Sequence, residues 1–545
     1  MRTGECDTLC FLRCFKRSQF VRRHGEGLRK PDGVCKWHDN IAPRPPRRSG
    51  IKGNGKQGVS VGSVRKSIIY SLGQNYFLLV LQLITSMILA RILKPDEVGI
   101  FSVAAALSAL ASVVRDFGVA EYLIQETNLT RDKIRAALTI NIAVSWLMAF
   151  GMFGGSYFAE QFYGEPGVGS VMRVLAFNFL LIPFGAVTMA YFRRQMNFAP
   201  GFKISVVAGV SSSLASVAMG FAGLSYMSLA YSSLLGVVIT VAMSFAMRPA
   251  ELPRWPGLKE IRGVLAFGGF ASGIYIFGQL GRSAPDLIIG RTASMGDVGF
   301  FSRANGLLEM FARTVMSAVH TVALPFFSAT RRDGGNVSEG LLKTVLMTTS
   351  IGWPFYAICA CLALPAIRVL YGDQWDAAAP LMRILCFAMA VDLVMLMSTE
   401  VLLALSQVKK SSLLQVSMQV LRIVIMLGAA PFGLTAICYG IVVASLLNVG
   451  LAFHFLAGSI TLHWREVAKA LVPACGITAI AVLGALAGLA LGEALSSWQI
   501  VHLGVGGGVA LLAALAYMWT TNHPYSHELR LLLARLPGGP WKKGG

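Results

Sequence analysis

Long apolar stretches recur along almost the whole chain, and they limit its fold more than any other feature. Fourteen runs between charged residues or Pro/Gly breaks are close to the roughly 20 residues that a helix needs to cross a bilayer. Their approximate limits are 68–90, 98–114, 136–158, 171–190, 203–222, 226–247, 264–290, 298–327, 345–367, 377–405, 413–430, 433–457, 467–490 and 499–519. Because 55% of the 545 residues are hydrophobic and only 14% are charged, the surplus apolar surface requires lipid. We therefore predict an all-helical, polytopic membrane protein with about 14 transmembrane helices.

Basic residues are distributed unevenly among the loops that join these runs. Lys and Arg accumulate in loops that stay in the cytoplasm. The loops after even-numbered runs carry 18 of them, whereas the loops after odd-numbered runs carry six. Both ends of the chain are basic as well. This pattern predicts an even number of spans with both termini in the cytoplasm, which 12 spans satisfy as well as 14.

The first 66 residues contain no apolar run and hold +11 of the formal net charge of +21. A basic tail and basic loops account for the charge, so we expect no nucleic-acid partner. Cys6, Cys10, Cys14 and Cys35 lack the second spaced pair of a metal finger, so we predict neither a metal site nor a cofactor. Residues 1–62 are interpreted as a disordered cytoplasmic arm, or as upstream sequence translated before a start near Val59.

The chain also repeats itself internally. With a shift of 200 residues, ILARILKPDEVGIFSVAAAL (88–107) aligns with IIGRTASMGDVGFFSRANGL (288–307), including Arg91 with Arg291. With a shift of 210, VMRVLAF (171–177) aligns with LMRILCF (381–387), and each follows a Tyr-Gly-acid triplet, at 163–165 and 371–373. An even number of spans separates the copies, so we predict two similarly oriented lobes related by an axis normal to the membrane.

Two similar six-helix lobes that face one another are typical of transporters that work by alternating access. We predict an N-lobe (63–250, helices 1–6), a C-lobe (251–457, helices 7–12), two additional helices (458–520) and a cytoplasmic tail (521–545). The sequence contains no H-E-x-x-H or G-x-x-x-x-G-K-[ST] motif. Its G-x-S-x-G match, GVSVG (58–62), lies before the first apolar run and follows no predicted strand, so we expect neither a metalloprotease, a serine hydrolase nor an ATP-driven pump.

The run SVRKSIIYSLGQNYFLLVLQLITSMILARILKPDEVGIFS, followed by RDFGVAEYLIQ, resembles the opening of the bacterial polysaccharide transport family. These proteins are repeat-unit flippases for O-antigens and exopolysaccharides within the multidrug/oligosaccharidyl-lipid/polysaccharide exporter superfamily. The resemblance extends over about 63–457 and includes exporters of acidic exopolysaccharides. It implies that the chain flips an undecaprenyl-diphosphate-linked oligosaccharide across the inner membrane, with a polysaccharide polymerase or export complex as its expected partner.

Ionisable residues inside the predicted spans are costly in lipid, so they should face a partner or a water-filled cavity. The candidate cations for the substrate are Arg282, Arg303, Arg422 and Arg313, and the candidates for binding a coupling ion are Asp286, Glu309, Asp392 and Glu400. Asp392 and Glu400 are eight residues apart, which places them near one face of a regular helix. Arg282 is the first candidate for the diphosphate, because Pro285 and nearby glycines predict a bent helix beside the substrate path. The alternatives are ion pairs that merely neutralise charge: Arg282 with Asp286, Glu309 with Arg313, or the acids of span 10 with Arg422.

Three other functions remain open at the level of sequence. A peptidoglycan-precursor flippase would share both the fold and the cargo chemistry. A multidrug cation extruder should place a carboxylate in its first span, and 68–90 contains none. A non-transporting scaffold of a glycan-assembly complex would tolerate neutralisation of every intramembrane Arg.

Overall fold

The computed structural model describes residues 61–116, 118–253, 255–312 and 317–521. Within these ranges the chain is helical and contains no strand. The predicted N-terminal arm, apart from its last two residues, and the predicted tail, apart from its first residue, lie outside the described residues.

The N-lobe comprises eight helices in the described part of the chain, and the C-lobe comprises nine. The N-lobe helices are α1 (Val61–Ile92), α2 (Pro95–Asp116), α3 (Val119–Gln125), α4 (Arg131–Tyr163), α5 (Pro166–Leu181), α6 (Pro183–Arg194), α7 (Phe198–Phe221) and α8 (Met227–Ala246). The C-lobe helices are α9 (Ile261–Thr292), α10 (Met295–Phe311), α11 (Ser317–Arg332), α12 (Val337–Cys361), α13 (Ala363–Leu370), α14 (Ala378–Asp392), α15 (Ser398–Ala404), α16 (Val408–Ala429) and α17 (Leu434–Ala457). Two final helices follow, α18 (Trp464–Leu495) and α19 (Gln499–Thr520).

The same helix pairings occur in both lobes. In the N-lobe, α1 packs on α7, α2 on α5, α4 on α5, and α7 on α8. In the C-lobe, the equivalent helices pair in the same way: α9 with α16, α10 with α14, α12 with α14, and α16 with α17. The architecture of two parallel repeats plus two C-terminal helices, predicted from the aligned motifs, is therefore confirmed.

Equivalent helices of the two repeats, α2 and α10, meet at the lobe interface. The Ser102 hydroxyl donates to the Ser302 hydroxyl at 3.1 Å, so residues exactly one repeat apart touch one another. A Cβ on Gly99 would lie 1.8 Å from the Met295 carbonyl oxygen, and one on Gly299 would lie 2.2 Å from the Pro95 carbonyl oxygen. The close approach of the helices therefore needs glycine at both equivalent sites.

Both repeats also interrupt the same span. In the N-lobe, α5 and α6 are bent by 53° on either side of Ile182, where Pro183 begins α6. In the C-lobe, a 3-10 turn at Leu393–Met395 follows α14, and α15 begins at Ser398. The break at Ile182 and the break after Asp392 are 210 residues apart, which is the shift that aligns VMRVLAF with LMRILCF.

The last two helices pack closely on each other and on the C-lobe. A Cβ on Gly484 or Gly488 of α18 would lie within 3.0 Å of an α19 backbone atom, so these glycines permit the contact. Helix α18 packs along α12, and α19 packs against α13.

Eleven helices in the described ranges are long and apolar enough to span a membrane, or twelve if the bent pair α5 and α6 forms one span. The expected spans at 264–290 and 298–327 are not among them. The first is covered by the continuous helix α9, and the second by α10 and α11 on either side of 313–316, which lies outside the described residues. The chain is thus a multi-pass membrane protein, and the count of 14 stays a prediction.

Candidate functional site

A cavity of about 740 Å³ lies between the two lobes. Its lining comes from α1, α2, α7 and α8 of the N-lobe, and from α10 and Tyr371 of the C-lobe. This volume falls within the range of small-molecule sites. Because residues of both lobes form its walls, a movement of one lobe against the other would change its shape.

Arg303 extends from α10 across this cavity to the N-lobe. Its Nη1 atom donates to the Ser86 hydroxyl at 2.8 Å, and its Cζ atom lies 5.4 Å and 5.3 Å from the ring centroids of Tyr371 and Trp375. Its buried Nε atom has no hydrogen-bond partner. The aromatic rings hold the planar guanidinium in place, while a donor remains unused.

The start of α10 fixes where Arg303 projects. Ser294 caps the helix by accepting from the Asp297 amide at 3.1 Å, and the Asp297 carboxylate accepts in return from the Ser294 amide at 3.1 Å. This reciprocal capping stabilises the first turn. The equivalent acid in the first repeat, Glu97, accepts from the Lys94 amide at 2.8 Å.

Contacts between the lobes close one end of the cavity, which we call the closed end. Arg91 of the N-lobe donates to the Val369 carbonyl oxygen of the C-lobe at 2.9 Å. The indole of Trp375 donates to the Ala90 carbonyl oxygen at 2.7 Å, and Gln374 donates to the Leu93 carbonyl oxygen at 3.2 Å.

The second repeat makes a related contact in the opposite direction. The Cζ atom of Arg291 lies 5.1 Å from the ring centroid of Phe162, beside the first Tyr-Gly-acid triplet. Arg91 of the first repeat thus lies against the segment around the second triplet (371–373), and Arg291 of the second repeat lies against the segment around the first triplet (163–165). The two duplicated sequence motifs are therefore brought together at the closed end.

An ion pair supports the loop that carries Gln374 and Trp375. Arg368 binds both carboxylate oxygens of Asp376: Nε donates at 2.9 and 3.2 Å, and Nη2 donates at 2.7 Å. The bonded guanidinium lowers the pKa of the Asp376 carboxyl below its usual value. The loop therefore depends on an ionised Asp376.

A second, smaller cavity of about 50 Å³ lies within the C-lobe. It is lined in part by Arg282, Glu309, Asp392 and Arg422. Asp392 and Arg422 form an ion pair, with Oδ2 and Nη2 at 2.8 Å. Glu309 also lines the larger cavity, so this residue lies between the two.

The remaining predicted residues are placed differently from one another. Arg282 is exposed and donates to the Gln279 side chain at 2.9 Å rather than to Asp286. The Oδ1 atom of Asp286 is buried without a hydrogen-bond partner. Asn305 donates to Glu309 at 3.1 Å, and Glu400 accepts from the Thr399 hydroxyl at 2.9 Å.

The structure separates two of the candidate acids that the sequence placed on one face. The 3-10 turn between α14 and α15 interrupts the helix that would align Asp392 with Glu400. Asp392 lines the smaller cavity, whereas Glu400 lines neither cavity. Arg313 lies outside the described residues.

Sequence reasoning missed the uncharged part of the larger cavity. Its lining includes Asn75, Gln82, Thr85, Ser86, Ser102, Ser212, Ser213, Ser216, Ser232, Ser233 and Ser302. The run SSSLAS (211–216) within an apolar span was the available signal, because hydroxyls in lipid also need partners. No group of three potential metal-binding side chains occurs among the residues described.

Comparison with known proteins gives the chain its family. Residues 88–380, which are more than half of the chain, match the family described as polysaccharide biosynthesis protein. The chain belongs to the polysaccharide biosynthesis protein family. The matched region of this family includes both copies of the α2/α10 motif and the closed end.

Two relatives of the chain have names that mention a polysaccharide. The chain is 26% identical to the succinoglycan biosynthesis transport protein ExoT of Rhizobium meliloti over 317 residues, or 57% of this chain and 63% of that protein. It is 21% identical to the lipopolysaccharide biosynthesis protein WzxC of Escherichia coli over 313 residues, or 56% of this chain and 63% of that protein. The chain thus spans slightly less than two thirds of the length of each.

Among solved structures, the fold is similar to that of the lipid II flippase MurJ in an inward closed conformation. The TM-score is 0.68, and the match covers 85% of this chain and all of the other at 11% sequence identity. At that identity the similarity shows a shared fold. This member of the polysaccharide biosynthesis protein family therefore shares the fold of that structure.

Proposed function

We propose that this protein flips a polyprenyl-diphosphate-linked oligosaccharide repeat unit across the bacterial inner membrane by alternating access. The repeat unit would then enter surface polysaccharide or exopolysaccharide synthesis. The observation that carries the proposal is the polar cavity between two repeated lobes, closed at one end by their reciprocal contacts. The names of the related transport and biosynthesis proteins support the glycan cargo.

The distribution of basic loops supports an orientation for the cavity. The closed end contains the loops after odd-numbered spans, which carry few Lys and Arg, so we assign it to the periplasm. The cavity is then in its inward-facing state, with both termini in the cytoplasm. Substrate would enter from the cytoplasmic leaflet, and separation of the closed end would release it outward.

Arg303 is the first candidate to bind the diphosphate. It is the cation among the described residues that line the larger cavity, and its unused Nε donor suits a phosphate oxygen. Arg282, which sequence reasoning preferred, lines the smaller cavity and serves as the second candidate. Arg422 is paired with Asp392, and Arg313 remains a candidate from the sequence alone.

The smaller cavity is the proposed site for a coupling ion. Glu309 and Asp392 line it, and Asp286 lies on the same helix as its lining residues Gly281 and Pro285. Carboxylates that exchange an ion or a proton at this place would bias the C-lobe helices between two arrangements. Glu400 is a weaker candidate because it lies outside that cavity.

The test compares Arg303→Ala, Arg303→Lys and a control, Arg173→Ala, in cells that depend on this protein for polysaccharide export. Arg173 pairs with Glu160 at 2.8 Å and does not line either cavity. We expect Arg303→Ala to lower export at least tenfold and to accumulate lipid-linked precursor in the inner leaflet. Arg303→Lys should retain part of the activity because it keeps the charge without the planar fork.

The control variant should export normally at equal protein abundance. Unchanged export by Arg303→Ala would exclude Arg303 from substrate binding. Unchanged export after neutralisation of Arg282, Arg303 and Arg422 together would favour a non-transporting scaffold. Accumulation of a peptidoglycan precursor instead of a polysaccharide precursor would identify the alternative cargo.

A further inference from the structure

The N-lobe side of the larger cavity carries a cluster of neutral hydroxyl side chains, beside apolar residues and the amides of Asn75 and Gln82. Thr85 on α1, Ser212, Ser213 and Ser216 on α7, and Ser232 and Ser233 on α8 form what we call the hydroxyl wall. The charged residues among the described lining, Arg303 and Glu309, both lie on α10 of the C-lobe. The N-lobe therefore supplies the uncharged hydroxyl wall and the C-lobe supplies the charged side chains, of which Arg303 reaches across to Ser86 of α1.

Most of the hydroxyl wall offers hydrogen-bond acceptors. Ser212, Ser216 and Ser232 donate their hydrogens to backbone carbonyl oxygens of their own helices at 3.1, 3.3 and 3.0 Å. Thr85 does the same to Leu81 at 2.8 Å. A hydroxyl whose hydrogen is already used retains its lone pairs, so these four oxygens remain able to accept from a ligand.

Two serines in the same wall remain able to donate. Ser233 accepts from the Asn178 amide at 3.2 Å, so its own hydrogen is not needed for that contact. Asn178 is only 7% exposed and its Oδ1 atom has no partner, which leaves this buried pair incompletely satisfied from within the protein. The Ser213 side-chain hydroxyl makes no hydrogen bond to any described residue, although its carbonyl oxygen accepts from Ser216.

From this arrangement we infer that the hydroxyl wall is a binding subsite for an uncharged, hydroxyl-bearing sugar of the cargo. This inference rests on the proposed function and deepens it by naming the substrate class. A sugar hydroxyl both donates and accepts, so it matches a wall that offers acceptors beside donors. A carboxylate or phosphate only accepts, so it could use the Ser213 and Ser233 hydroxyls but would also face four acceptor oxygens, with no cation supplied by this wall.

The division of the cavity then orients the cargo. The anionic diphosphate lies toward Arg303, and the neutral sugar lies toward α7 and α8. Discrimination arises because an acidic sugar in the neutral subsite would lose water without gaining a countercharge. The hydroxyl wall would thus select among repeat units, whereas Arg303 would bind the part that all of them share.

Direct binding to the purified full-length chain tests the inference with three synthetic probes. The first is a polyprenyl diphosphate without sugar, the second carries a neutral disaccharide, and the third carries the same disaccharide with a terminal uronic acid. The variants are Ser213→Ala and Ser233→Ala, with Ser244→Ala as the control. Ser244 is buried on α8 and does not line the cavity.

We expect the neutral probe to bind the parent more tightly than the other two. Each wall variant should weaken binding of the neutral probe about fivefold, corresponding to about 1 kcal/mol, and leave the sugar-free probe unchanged. Ser244→Ala should bind all three probes like the parent. Ser213→Lys should shift the preference toward the uronic-acid probe, because it places a countercharge in the wall.

Equal binding of all three probes by the parent would overturn the sugar subsite while leaving diphosphate transport intact. Tighter binding of the uronic-acid probe by the parent would overturn the preference for an uncharged sugar. Two separate subsites would be supported if Arg303→Ala no longer binds the sugar-free probe but still binds the neutral-disaccharide probe more tightly than the sugar-free one. Failure of the parent to bind any probe would contradict the inference and the proposed function together.

Discussion

The ion pair between Asp392 and Arg422 illustrates what a charge inside an apolar bundle requires. The two side chains come from α14 and α16, and each is less than one third exposed. Arg422 also reaches the Ser445 hydroxyl of α17 at 3.4 Å. Removal of either partner would leave the other charge poorly solvated, so the pair contributes to C-lobe packing as well as to the polarity of the smaller cavity.

We expect Arg422→Ala to lower the free energy of unfolding by about 2 kcal/mol, because it strands Asp392 in a partly buried place. The double variant Arg422→Leu with Asp392→Leu should recover most of that loss, since no unpaired charge remains. Thermal unfolding in detergent measures both effects. A double variant that is no more stable than Arg422→Ala would show that the pair does not act as a unit.

If the acids of the smaller cavity couple transport to an ion, the same double variant should be folded but inactive. Export assays at matched abundance separate these two roles. Parental export by the double variant would return Asp392 to a purely structural role. Arg173→Ala again provides the control for loss of an arginine away from the cavities.

At the scale of elements, the loop after α13 connects local electrostatics to the closed end. Asp376 is held ionised by Arg368, and the same loop carries Trp375, whose indole donates to Ala90 in the other lobe. Trp375 is fully buried, which fixes the loop between the lobes. Loosening the ion pair should therefore loosen the closed end before it affects the helices.

Acid should weaken this loop. The pKa of Asp376 is lower in the folded protein than in the unfolded chain, so the ion pair contributes fully above the unfolded value of about 4. Its contribution is lost as the pH falls through the lower, folded value. Hydrogen exchange across 371–376, corrected for its intrinsic pH dependence, should show reduced protection at about pH 3 relative to pH 7.

The matched variant for this prediction is Asp376→Asn. It should show reduced protection already at pH 7 and little further change on acidification, because no carboxyl is left to titrate. Equal protection of the parent and Asp376→Asn at neutral pH would mean that Arg368 does not support the loop. An unchanged profile for the helices of the N-lobe serves as the internal control.

For the whole molecule, the duplication relates the two lobes and also the two residues that touch where the lobes meet. Ser102 and Ser302 lie one repeat apart and touch across the lobe interface at 3.1 Å. Cysteines at both sites, in a background without the native cysteines, should form a disulfide because the two side-chain tips already meet. Alternating access requires the lobes to move apart here, so oxidation should stop export and a reductant should restore it.

The single variants Ser102→Cys and Ser302→Cys should export with or without oxidant. Full export by the oxidised double variant would place the moving interface elsewhere. A failure to cross-link would contradict the contact itself. Cross-linking is measured by cleaving the chain between the lobes, because a disulfide keeps the two fragments together on a non-reducing gel. Export is measured by the polysaccharide assay.

The sequence predicted the repeated lobes because a duplication leaves local motifs, such as Arg91 and Arg291, that survive in both copies. It also predicted charged residues in the cavities, because an ionisable residue in an apolar span needs access to water or an oppositely charged partner. It ranked Arg282 ahead of Arg303, because the rotation of each helix toward the lobe interface cannot be read from the sequence. It placed Asp392 beside Glu400 because a regular helix was assumed, and the 3-10 turn after α14 removes that regularity.

The glycines at the lobe interface have a consequence for how such a chain can evolve. Gly99 lies against the backbone at Met295, and Gly299 lies against the backbone at Pro95. A larger residue at either glycine would clash with backbone atoms of the other copy, and a change of side-chain rotamer cannot relieve a clash with the backbone. The two halves are therefore free to diverge over most of their lengths to suit different cargo, yet at this crossing each copy restricts the other.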